Sequence, residues 1–206
     1  MKHMDMQLSS RAQQFSNVIA SAICTDQQGG VLALEAGMLL AMQQLQGALH
    51  RKSSVFIVGN GGSAAVASHA QIDFLNVAKL KAQVIHEPSV LTCMTNDYGY
   101  DNAYAKILKT LLMPDDILIA ISSSGKSKNI CNAVAAAHSA GAIVITLTGF
   151  LPDNPLRQLG NLNYWLDSDD YGFIEIGHQF VLHNLSDRFS LMQVVIACDA
   201  VCDVLR

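Results

Sequence analysis

The sequence predicts an α/β fold in which a mainly parallel sheet is covered on both faces by helices. Three observations carry that expectation. Short apolar runs, Ser54 to Val58, Asp116 to Ile121 and Ile143 to Leu147, are continuous rather than alternating, as in strands buried on both sides. Stretches with helical character stand between them, which is the alternation of a parallel sheet. Two of the runs lead into turns rich in glycine and serine, the composition of strand-to-helix connections.

In chain order, apolar residues recur at helical spacing from Ser9 to Cys24 and again from Val31 to Leu49, with Gly29 and Gly30 between them. That predicts an opening helical hairpin. Ser54 to Val58 is a strand, Gly59 to Ser63 a turn, and Ala64 to Leu75 a helix behind an early serine. Ala82 to Ile85 and Leu162 to Leu166 are weaker strands, and Ser127 to Ala140 is an alanine-rich helix closed by Gly141. Phe173 to Leu205 reads as one long helix or as two meeting near Ser186. No repeat, low-complexity tract or linker divides the chain, so residues 1–206 are expected to form one domain. Its helical start occupies 1–50, and its sheet core and C-terminal helix occupy 51–206.

With half of its 206 residues apolar, the chain is able to bury a sizeable core. Thirteen Lys and Arg against 17 Asp and Glu leave a net charge of -4, and no basic run offers a track for a phosphate backbone, which argues against direct binding of nucleic acid. The start MKHMDMQLSSR is polar and acidic where a secretory signal is apolar, and no window of about 18 apolar residues suggests a membrane span. A cytoplasmic protein is expected. The five cysteines, Cys24, Cys93, Cys131, Cys198 and Cys202, are scattered and odd in number, and they read as reduced core thiols. Cys198 and Cys202 suit one helix face, without further Cys or His nearby to complete a metal site.

Ligands of open parallel sheets bind beyond the carboxyl ends of the strands. Two such ends share a composition here: Gly59-Asn60-Gly61-Gly62-Ser63 and Ser122-Ser123-Ser124-Gly125-Lys126-Ser127. Glycines let backbone N–H groups approach an anion, hydroxyls add donors, and a helix N-terminus favours negative charge. Together the two turns predict a phosphate cradle built largely of serine. Gly125-Lys126-Ser127 imitates the end of a nucleotide-binding P-loop, but that motif requires a glycine five residues earlier, where this chain has Ala120.

GNGGSAAVASH (59–69), NDYGYDNAYAK (96–106), ISSSGKSKNI (121–130), VITLTG (144–149) and IEIGHQFVLH (174–183) resemble, in order and approximate spacing, blocks of the bacterial phosphoheptose isomerase family. That family consists of a single sugar isomerase (SIS) domain, and the likeness runs from about Ser9 to Leu205. The resemblance implies a flavodoxin-like, five-stranded parallel sheet and a homotetramer with active sites at subunit interfaces. It implies an aldose-ketose isomerase acting on a sugar phosphate, most of all sedoheptulose 7-phosphate, on the way to lipopolysaccharide or another heptose-containing glycan. Phosphate contacts are implied for Ser63, Ser122, Ser124 and Ser127, with Asn60, Gly61, Gly62 and Ser123 beside them and Asp97 near the sugar. The catalytic carboxylate matches Asp73 and the catalytic histidine His183. The zinc ligands of metal-binding members match His69, Asp73, Glu175 and His183.

Spacing agrees with part of this. His69 and Asp73 are four residues apart and share a helix face. Glu175 and His183 are eight apart, about 80° around a helical wheel, which suggests that the two pairs converge as a nitrogen and oxygen site suited to zinc. His178, about 140° from His183, is expected at an interface or in support of the site from outside. Five positions depart from the family's usual residues: Asp73 stands for Glu, Glu175 for Gln, Lys126 for Asn, and Gly172-Phe173 for Asp-Arg. A contrasting class is a non-catalytic relative that senses phosphosugars or binds a replication initiator, and the retained Asp73 and His183 favour the enzyme.

Overall fold

The computed structural model describes residues 6–204 and the side chains of residues 6–191. In chain order the elements are α1 (Leu8–Ala20), β1 (Ile23–Asp26), β2 (Val31–Leu32), α2 (Leu34–Arg51), β3 (Ser54–Val58), α3 (Gly62–Asn76), β4 (Lys81–Val84), α4 (Pro88–Tyr98) and α5 (Tyr100–Leu111). There follow β5 (Ile117–Ser122), α6 (Lys128–Ser139), β6 (Ile143–Thr148), a short 3-10 turn (Pro155–Gln158), β7 (Leu162–Trp165) and α7 (Tyr171–Val204).

The strands form one seven-stranded sheet of order β2-β1-β7-β6-β5-β3-β4. Its five parallel strands, β4-β3-β5-β6-β7, follow the flavodoxin-like order. The continuous apolar runs arise because both faces are covered. Val55 and Ile57 of β3 join Ile119 of β5 and the inner faces of α2, α3 and α7 in one core. Phe56 and Val58 face the other way, toward a second core with α5 and α6. Asp116, just before β5, is buried and ties the sheet to its loops, accepting from the backbone N–H of Ser54 at 2.7 Å and of Met113 at 2.8 Å.

Two expectations need correction. The sheet has seven strands, not five, because Ile23–Asp26 leaves the first expected helix and pairs antiparallel with β7, from Ile23 opposite Trp165 to Asp26 opposite Leu162. The Gly29-Gly30 break is the turn of the β1–β2 hairpin. Asp26 Oδ1 accepts from the N–H of Gln28 and Gly30 at 2.9 and 2.7 Å, and Gly29 supplies φ +80°. The opening is therefore helix, β-hairpin, helix. Between β4 and β5 the sequence also forms α4 and α5, which spacing alone did not reveal. Pro88 opens α4 with Glu87 capping the N–H of Val90 at 2.9 Å, and Gly99 at φ +77° separates the pair.

The C-terminal segment is one helix that passes Ser186 without a break. Cys24 is buried, and desolvation pushes its thiol up to about 11. Cys131 is half-buried, but Cys93 is exposed on α4 and is not a core thiol, and all three are free. The side chains of Cys198 and Cys202, and Leu205 itself, lie outside the described residues. No described helix is long and apolar enough to cross a membrane.

Candidate active site

The two glycine and serine turns meet because β3 and β5 are hydrogen-bonded neighbours, so their carboxyl ends lie side by side. Each turn has a backbone that demands glycine. Gly61 adopts φ +53°, and a Cβ on Gly59 would lie 2.6 Å from the backbone carbonyl of Ser63. Gly125 adopts φ +62°, and a Cβ there would collide with the side-chain amide of Asn154. Asn154 has no freedom to retreat, since it is buried, donates to the carbonyl of Leu151 at 2.8 Å and accepts from the N–H of Arg157 at 3.0 Å.

Between the turns lies a cavity of about 150 Å³ lined by Asn60, Ser63, Ser122, Ser123, Ser124 and Ser127, together with Tyr171 and Glu175 of α7. Ser63, Ser122 and Ser123 are buried. Ser122 Oγ donates to Ser127 Oγ at 3.2 Å, and Ser124 Oγ accepts from the N–H of Lys126 at 3.3 Å. The helix dipoles of α3 and α6 begin at this cavity, and its donors suit an anion. Asn60 is held by partners that local spacing does not reveal. It exchanges two amide hydrogen bonds with Asn129 of α6, at 2.9 and 2.8 Å, and accepts from Tyr100 Oη at 2.7 Å. Tyr104 Oη donates to the buried carbonyl of Gly59 at 2.9 Å.

The second part of the site is on α3 and α7. His69 and Asp73 project from one face of α3, and His183 reaches them from α7. Asp73 Oδ2 lies 2.8 Å from His183 Nδ1 and 3.4 Å from His69 Nε2. Asp187, one turn beyond His183, approaches its Nε2 at 4.0 Å. The hydrogen bond that His183 donates to Asp73 raises its pKa; desolvation opposes it, while the charges of Asp73 and Asp187 add to the rise. Three ligand atoms from His69, Asp73 and His183 lie within 4.8 Å of one another. Two imidazoles and a carboxylate fit a divalent ion of the zinc type and leave a coordination position open.

Glu175 does not join this group: its carboxylate lines the serine cavity and lies against Gly62, where an added Cβ would collide with it. The wheel angle with His183 was sound, but eight residues also separate the two by about 12 Å along the helix. Asp97 is exposed on α4, bonded to the Asn96 amide at 3.0 Å, and does not line the cavity. His178 is not at a surface of the described chain. It is fully buried, with Nε2–H donating to the carbonyl of Thr148 at 3.1 Å, and desolvation lowers its pKa to about 4.

A model of the family described as the SIS domain matches residues 17–149. The phosphoheptose isomerase of Thiobacillus denitrificans is 34% identical over 168 residues, covering 75% of this chain and 85% of that protein. Among solved structures, a phosphoheptose isomerase from Francisella tularensis superposes with a TM-score of 0.78 at 27% identity, covering 93% of this chain and 100% of that one. The phosphoheptose isomerase from Neisseria gonorrhoeae gives 0.75 at 25% identity, covering 88% and 95% of the two chains.

Proposed function

The chain belongs to the SIS domain family and, within it, to the phosphoheptose isomerases, so it is a phosphosugar isomerase; from that premise we propose that it interconverts sedoheptulose 7-phosphate and glycero-manno-heptose 7-phosphate through an enediol. The observation that carries this reading is a serine-lined cavity served by two helix N-termini, with a hydrogen-bonded carboxylate and imidazole further along the helices that bound it.

Ser63, Ser122, Ser124 and Ser127, assisted by Asn60, Gly61, Gly62 and Ser123, hold the phosphate and convert its binding into positioning of the far end of the sugar. Asp97 completes the reading as a residue near the sugar. Asp73 removes the C1 proton of the ketose while His183 delivers a proton to the C2 oxygen, giving the enediol. Return of a proton to C2 and loss of the O1 proton complete the aldose. The geometry divides the work: Asp73 Oδ2 accepts from His183 Nδ1, leaving Oδ1 free for the carbon acid and Nε2 for the oxyanion. With zinc bound, His69, Asp73 and His183 would hold the ion in place of their mutual hydrogen bond, and the metal would instead polarise the carbonyl and hydroxyl oxygens of the sugar.

The reading includes one SIS domain over residues 1–206, a cytoplasmic setting, a role in heptose-glycan synthesis and a homotetramer with sites at subunit interfaces. Exposed apolar side chains support the assembly, with Leu39 on α2 and Ile176, Phe180 and Leu191 on α7 each more than half exposed. Incubation of zinc-replete protein with sedoheptulose 7-phosphate, followed by NMR, tests the activity. Appearance of an aldose phosphate that Asp73→Ala abolishes is expected; no conversion by the wild type, with the ligand bound, would overturn the substrate assignment.

A further inference from the structure

Tyr171, the first residue of α7, lines two cavities at once. One is the serine cavity. The other is an outer pocket of about 670 Å³ whose lining joins apolar Phe150, Leu151 and Pro152 to polar Asp167, Ser168 and Asp169. Among the described residues no other lines both. The Tyr171 ring is held in place: Phe150 packs edge-on against it with centroids 4.8 Å apart. Phe150 is itself kept at a left-handed φ of +54°, a conformation that bulky residues rarely adopt, and its N–H donates to the carbonyl of Ser168 at 2.9 Å. On the helix side, Asp170 accepts from the N–H of Phe173 at 3.2 Å and from the Arg11 guanidinium at 2.6 Å, which fixes the first turn of α7.

A phosphate monoester carries its carbon chain on one oxygen, whereas a diester carries a second substituent that must find room of its own. With the chain directed along α7 toward His69, Asp73 and His183, that room is the outer pocket. A bulky side chain at the boundary rejects the second substituent by collision and leaves the first untouched. We infer that Tyr171 is a specificity-determining residue whose ring, braced by Phe150, walls the serine cavity off from the outer pocket, so that a phosphate at the end of a chain is accepted and a phosphodiester is excluded. The serine turns supply the donors, and Tyr171 supplies the boundary. The inference rests on the phosphosugar isomerase reading of the cavity and deepens it, since it concerns which phosphate esters the cradle admits.

Glycerol 3-phosphate and glycerophosphocholine, the same phosphate with choline on a second oxygen, form a matched pair of probes. Asp167 and Asp169 favour the choline cation, so its rejection reports shape rather than charge in the outer pocket. Tyr171 is 60% exposed, so Tyr171→Ala leaves the core untouched. Dissociation constants for both probes are measured by calorimetry on zinc-replete wild type, Y171A, Tyr171→Phe and Ser124→Ala. The wild type is expected to prefer the monoester by about a hundredfold, Y171A to narrow that preference about tenfold by admitting the diester, and Y171F, which keeps the ring, to match the wild type. A preference in Y171A within about twofold of the wild type's, or a Y171F as permissive as Y171A, would overturn the inference. Ser124→Ala separates this failure from failure of the underlying reading. If S124A weakens glycerol 3-phosphate, the cradle stands whatever Y171A does; if it does not, the cradle reading falls and the wall with it.

Discussion

Ser63, Ser122 and Ser123 are at most 6% exposed and are carried by turns whose backbone only glycine adopts, whereas the side chains of His69 and His183 are 55% and 51% exposed on α3 and α7. The first region is shaped by main chain at the ends of two paired strands, and the second by side chains meeting across two packed helices. The contrast separates two kinds of dependence. Changes in the cradle should register in folding and substrate capture, and changes in the cluster should register in turnover while leaving the fold intact.

The largest effect tests the cluster. Asp73→Ala is expected to lower turnover by about a thousandfold, the range of a lost acid or base, with a melting temperature within a few degrees of wild type. A large loss of stability would show that the half-buried carboxylate also holds α3 to α7. Next comes Gly125→Ala, which forces both a left-handed φ and a collision with Asn154; a loss of about 3 kcal/mol in urea unfolding is expected. A neutral outcome would remove the claim that main chain fixes the cradle.

His178 lies between the regions on α7 and sharpens the comparison through pH. Its folded pKa, about 4, is below the ordinary 6.5, so the unfolded chain binds the extra proton first. The stability it contributes is complete above pH 6.5 and is lost as pH falls toward 4, on the order of 3 kcal/mol in all. Unfolding midpoints of wild type and His178→Gln from pH 7 to pH 4 should converge as pH falls; parallel curves would contradict it. The smallest effect is Ser124→Ala, expected to raise KM about tenfold, the worth of one hydrogen bond to a charged group, with kcat little changed in steady-state assays.

The regions also differ in how far the sequence disclosed them. The cradle was legible because its signals are local: glycines and serines stand within six residues of a buried strand, and the fold only had to make the strands neighbours. The cluster was legible as to His69 and Asp73, one turn apart, while the arrival of His183 depends on the packing of α7 against α3, and no local pattern encodes that. Glu175 was misplaced because a wheel projection discards the rise along the axis. The Asn60, Asn129 and Tyr100 network, with partners 40 and 69 residues apart, has no signature of its own. At the sheet edge, helical spacing through Ile23 and Cys24 gave way to pairing with β7, and the Asp26 turn and glycines were the signs of it.

The long final helix has a further consequence. α7 begins at the cavity with Tyr171 and Glu175 and carries His183 two turns on, so one rigid rod holds both ends of the site. It acts as a calliper set at about 12 Å. Under the function proposed above, its jaws would suit an extended seven-carbon chain with a terminal phosphate and would stand too wide for a triose. Chain length would then be gauged before any contact with individual hydroxyls, and lengthening or shortening α7 by one turn between Glu175 and His183 would reset the gauge.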